Sequence, residues 1–159
     1  MGPGGSDAAN FSKWYTTILK DRQWRAQMFQ RLLAGPKSIP EGDGTLLDNS
    51  LVLWTSGFSF GGQHAVANLP AALAGHAGGT LPDGRYLDFA KQISNPADTS
   101  QTVYQTSASL GNLHTSMLNL CGYPDTMFGE TWPSFQVLNG NRPYIGTKSV
   151  TGPLPGLSA

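Results

Sequence analysis

Apolar side chains recur at Phe11, Trp14, Tyr15, Ile18 and Leu19, then at Met28, Phe29, Leu32 and Leu33. This i, i+3, i+4, i+7 spacing predicts an amphipathic helix over residues 8–34 with one buried face. Arg22 and Arg25 fall where the next apolar pair belongs, which predicts a bend or two shorter helices. Gly35-Pro36 supplies a stop signal. Residues 36–50, with Pro40, Gly42, Asp43, Gly44 and Asn49, read as a loop. The run Leu51-Val52-Leu53-Trp54 within residues 50–56 is continuously apolar and bounded by turn residues. That pattern predicts a short, fully buried strand of a parallel sheet. A glycine-rich loop from Gly57 to His64 follows its carboxyl end.

Residues 69–75 predict a second strand, with Pro70 near the start where a ladder donor can be spared. Residues 84–89 read as an edge strand and residues 91–106, mostly polar, as an exposed insertion. Leu110, Leu113, Met117, Leu120 and Cys121 share one face of a second helix over residues 107–121, with Gly122 as its C-cap. Residues 123–149 are turn-rich. Residues 150–159, with Pro153 and Pro155, predict a loose tail, and residues 1–7 a disordered start or a cloning scar. The expected fold class is α/β, a partial, mostly parallel sheet flanked by the two helices.

Composition narrows the function classes. The chain has 159 residues, enough for one real core, but only 13% are charged, while 20 are Gly and 11 are Pro. Low charge with moderate apolarity argues for a folded, loop-rich segment that leans on more protein, and against a disordered tail. Net charge is zero, so nothing global points to nucleic acid or an anionic membrane. Six of the ten basic residues fall in residues 1–37, opposed by Asp7 and Asp21, and read as a solvated helix face. No run of eighteen apolar residues exists, which argues against a membrane span. The start carries no signal-peptide pattern, so the chain shows no address of its own. The single cysteine, Cys121, excludes an internal disulfide and reads as the buried end of the second helix.

Ligands of open α/β sheets bind beyond the carboxyl ends of the strands. Here that position is residues 55–64, with the hydroxyls of Ser56 and Ser59 and the imidazole of His64. His64 is the candidate metal ligand or general acid/base, weighed against a histidine bonded to its own loop. Ser56, Ser59 and His76 are candidate substrate contacts, and His114 reads as a surface residue. Asp48 lies at the wrong end of its strand to join His64. With few other carboxylates near these loops, a closed metal site within this chain is not expected. No nucleophile elbow, dinucleotide fingerprint or phosphate loop is present, so the catalytic residues stay unassigned.

Residues 41–56 together with His64, residues 68–75 and Gly78-Gly79 resemble a signature of an uncharacterised family of exported bacterial proteins. That family occurs in planctomycetes and myxobacteria with a twin-arginine signal and is related to the sulfatase-like proteins. The likeness continues through residues 84–87, Asn112-Leu113 and Phe128-Gly129-Glu130, and covers the C-terminal portion of such a protein. In the wider alkaline-phosphatase superfamily a strand ends in Thr-Ser/Ala-Asp-His-Gly, and a later His precedes a strand opening with Pro. Thr55-Ser56, His64 and Leu69-Pro70 match that order, while Gly57 and Phe58 stand where two metal ligands belong. The resemblance implies the C-terminal part of an alkaline-phosphatase-like fold, a periplasmic or envelope location, and a divalent metal at His64 whose ligand set is incomplete. It also implies a small anionic ester as substrate and the upstream region of the same protein as partner.

Two functions follow. One is a segment of a phosphate- or sulfate-ester hydrolase, incomplete on its own. The other is a non-catalytic binding or scaffold protein of the cell envelope that lost its metals, which Gly57 and Phe58 favour. A third reading, an independent carbohydrate-binding domain using Trp14, Trp24, Trp54 and Trp132, is weaker because Trp14 and Trp54 fit the helix stripe and the strand.

Overall fold

The computed structural model describes residues 8–59, 68–95, 98–129, 136–139, 142–145 and 151–157. Among the described residues, two helices and four two-stranded antiparallel ribbons make a mixed α/β structure. Helix α1 spans Ala8–Lys37 as one continuous element. The arginines do not break it, because Arg25 Nε donates to Asp21 Oδ2 at 2.8 Å one turn back. Pro36 sits inside the last turn and forfeits only its own N–H there. Its carbonyl instead receives Ile39 N and Leu47 N, each at 3.3 Å, which starts the return of the chain.

The loop expected over residues 36–50 contains a minimal hairpin, β1 (Pro40–Glu41) with β2 (Gly44–Thr45). Thr45 then opens a helical turn that closes by reciprocal bonds. Asp48 Oδ2 accepts from Thr45 N at 2.8 Å and Thr45 Oγ1 at 2.7 Å. This is the arrangement of a capping box.

Strands β3 (Val52–Thr55) and β4 (Ala71–Ala74) are neighbours, as expected, but they pair antiparallel with Leu53 opposite Leu73 and Trp54 opposite Ala72. The expected parallel pairing is therefore corrected. A parallel return needs a crossover that carries the chain back along the strand. Here Thr55 Oγ1 donates to Pro70 O at 2.9 Å, so the chain comes back at the end where it left. The strand is also less buried than its apolar run suggests. Side chains alternate between faces. Leu53 and Leu73 pack on the leucine core, while Trp54 points the other way, 40% exposed, and stacks on Phe29 of α1 at 4.9 Å.

Residues 84–89 form no strand. The long hairpin lies just beyond, β5 (Ala90–Asn95) with β6 (Asp98–Thr106), in the stretch read as an insertion. A further hairpin joins β7 (Gln136–Asn139) and β8 (Arg142–Ile145).

Helix α2 (Leu110–Leu120) opens with a second capping box, Ser109 with Asn112. It closes in a Schellman motif. Gly122 N donates to Asn119 O at 3.0 Å and Tyr123 N to Leu118 O at 2.9 Å, with Gly122 at φ +87°. Leu113 and Leu120 join Leu81, Leu154 and Leu157 in the core. Two of those leucines come from the stretch whose composition suggests a loose tail. Residues 151–157 are instead tied to α2: Asn112 Nδ2 donates to Thr151 O (3.0 Å) and Gly152 O (2.8 Å), and Leu154 N donates to Ser116 Oγ (2.6 Å). Cys121, expected buried, is exposed. It stands one residue past Leu120, a turn of about 100° off the buried face.

Candidate functional site

The antiparallel register of β3 and β4 brings the residues before β3 next to those after β4. The loop 75–81 therefore docks on the turn 45–50 by main-chain bonds. Ala77 N donates to Ser50 O at 3.0 Å and Gly78 N to Asp48 O at 2.9 Å. Gly75, at φ +91°, makes this approach, and a Cβ there would stand 2.3 Å from Ser50 O and 2.8 Å from Leu47 O. Ala77 follows at φ +47°, a left-handed conformation that costs an L-residue about 1 kcal/mol.

The docking places His76 between two carboxylates. Its Nδ1 lies 2.9 Å from Asp48 Oδ1 and its Nε2 2.9 Å from Asp83 Oδ1. Both ring nitrogens donate only when the ring is protonated. The bond to Asp83 and its charge raise the His76 pKa above its ordinary value; burial opposes them, and Asp48 adds a smaller upward pull. Asp48 is held below the usual carboxylate range, first by the Thr45 hydroxyl and backbone N–H, then by His76. Asp83 is exposed, so this end of the bridge is open to solvent.

Beside this bridge runs an open groove of about 490 Å³. Glu41, Asp43, Asp48, Asn49 and His76 line it together with Gly42, Gly44, Gly78 and Gly79. Asn49 Nδ2 donates to Glu41 Oε2 at 2.9 Å and holds that carboxylate at the rim.

Of the candidate contacts read from the sequence, His76 belongs to this site. Ser56 and Ser59 do not. They follow Thr55 at the opposite end of the β3–β4 ribbon, about 14 Å away for four residues of strand. Ser56 Oγ closes a local turn with Phe58 O at 2.8 Å. His64, the candidate metal ligand, lies outside the described residues. His114 is half-buried, bonds the Leu110 carbonyl through Nδ1 at 2.8 Å and stacks on Phe128 at 4.8 Å.

Asp48 is the site residue that sequence reasoning passed over. Asp48 and His64 lie at opposite ends of the strand at residues 50–56, so spacing alone does not bring Asp48 to a site. The signal was the symmetry of a hairpin: Asp48 precedes β3 by four residues and His76 follows β4 by two. Among the described residues no group of three His, Cys, Asp or Glu side chains is arranged to hold a metal ion. No family model, curated protein or solved structure matches the chain.

Proposed function

We propose that the chain is a non-catalytic binding and scaffold segment, the second of the two functions that the family resemblance allows. The observation that carries this reading is the engagement of His76 on both sides by Asp48 and Asp83. An imidazole held in this way, donating on both sides when protonated, ties the turn before β3 to the loop after β4 as a structural strut.

Helix α1 adds support. Its apolar stripe is half-buried at Met28, Phe29 and Leu33, where it meets β3, and continues to Trp14 (55% exposed) and Leu19. An uncovered stripe of this kind marks a surface for more protein. On this reading the partner is the upstream region of the same protein, and the chain is the C-terminal part of an alkaline-phosphatase-like domain in the cell envelope. That kinship rests on Thr55-Ser56, His64 and Leu69-Pro70.

Elemental analysis of the complete protein, purified in metal-free buffer, tests the proposal. No stoichiometric divalent metal, with no turnover of aryl phosphate or aryl sulfate esters, is the expected result. About two tightly bound equivalents with ester hydrolysis would overturn it and restore the hydrolase reading around His64.

A further inference from the structure

The charge of this protein is sorted, although its total is zero. Helix α1 carries six cationic side chains and one anionic, a surplus of five. The rest of the chain, with four cationic and nine anionic residues, carries the opposite surplus. The face of α1 away from the body concentrates the positive side. Lys13, Lys20, Trp24 and Arg31 lie about 140–180° around the axis from Phe29, which packs on Trp54. All four are exposed, Trp24 at 56%. Thr17 and Gln27 fill the same stripe without adding an acid. It extends over about 27 Å.

The groove at Glu41, Asp43 and Asp48 is the complementary surface. It is lined by carboxylates, and at Gly42, Gly78 and Gly79 nothing stands within 4 Å of where a Cβ would be, which leaves room for a flat ring. We propose that the Lys20–Trp24–Arg31 stripe of one copy docks in the Glu41–Asp43 groove of a second copy. Trp24 lies in the open space at Gly42, Gly78 and Gly79 while the cations meet the Glu41 and Asp43 carboxylates. The stripe and groove are different patches of one chain, so the contact is head-to-tail and builds closed rings or open filaments. This inference uses neither the apolar stripe of α1 nor His64, and stands apart from the scaffold reading.

Sedimentation velocity of the full chain tests it. Species larger than the monomer, growing with concentration, are expected at low salt. They should dissolve at about 0.5 M salt, where the Debye length falls to a few ångströms. Lys20→Glu with Arg31→Glu, and separately Glu41→Lys with Asp43→Lys, should each weaken association by about tenfold or more. An equimolar mixture of the two variants should associate again, because each reversed stripe meets a reversed groove. Circular dichroism reports whether each variant keeps its helices. If a reversal unfolds the chain, the neutral versions Lys20→Gln with Arg31→Gln and Glu41→Gln with Asp43→Asn carry the same loss. A native chain that stays monomeric at low salt overturns the proposal. So does association that neither variant weakens, or a failure of the mixture to recover. Binding of α1 to anionic vesicles or nucleic acid with the chain otherwise monomeric also overturns it.

Discussion

Gly75 meets Ser50 so closely that any β-carbon on Gly75 would stand 2.3 Å from the Ser50 carbonyl oxygen. That oxygen already accepts from Ala77 N, so it cannot retreat without undoing the seam between the two loops. Gly75→Ala is therefore expected to lower stability by about 2–4 kcal/mol, from backbone strain plus the clash. Gly57→Ala is the control: nothing lies within 4 Å of that Cβ position, and a change within about 0.5 kcal/mol is expected. Urea denaturation of both variants checks the pair.

The His76 bridge ties stability to pH from both sides. The His76 pKa is raised, so its contribution is full below about 6.5, the unfolded value, and fades as pH climbs through the folded one. The Asp48 pKa is lowered, so its contribution is full above about 3.9 and fades as pH falls through the folded value. Both operate between about pH 4 and 6.5. Thermal melts across that range should peak inside it for the native chain and flatten for His76→Gln. An NMR titration of the His76 ring should show a midpoint above the free value, falling in Asp83→Asn.

Asn112 joins the start of α2 to the C-terminal segment, and its amide is spent at both ends. Oδ1 accepts from Ser109 N and Ser109 Oγ while Nδ2 donates to two carbonyls. Asn112→Asp keeps the shape but turns a carboxylate oxygen toward Thr151 O and Gly152 O. With the residue buried, about 2–4 kcal/mol is expected to be lost. Faster hydrogen exchange at Gly152 and Leu154 would show that segment 151–157 has been released.

The Phe29–Trp54 stack is the described aromatic contact that seats α1 on β3. Phe29→Ala should cost about 3 kcal/mol or less, since Trp54 is already part-exposed. It should also redden tryptophan emission and raise exchange along the second half of α1.

Periodicity along the chain was enough to place both helices, because an i, i+3, i+4 pattern is a local property of one element. The Gly122 stop bounded the end of α2 for the same local reason, whereas its start at the Ser109–Asn112 capping box lies three residues later than the spacing suggests. The strand at Val52–Thr55 and its neighbour at Ala71–Ala74 were likewise legible from apolar runs and turn residues. The hairpin β5–β6 was not, because its Thr- and Gln-rich strands offer little apolar alternation to mark a buried face.

Strand direction and the site belong to the tertiary structure. An apolar run says that a strand is buried, yet it is the same run whether its partner runs parallel or antiparallel. The antiparallel pairing, closed by Thr55 and Pro70, decided that Asp48 and His76 would meet and that Ser56 would not join them. The same holds for residues 151–157, whose prolines and glycines suggest a free end. Leu154 and Leu157 are buried in a segment that α2 holds through Asn112 on the Thr151 and Gly152 carbonyls and Ser116 on the Leu154 N–H. Local spacing is written into the sequence itself, whereas contacts between distant segments form only when closing the loops releases more free energy than the ordering costs.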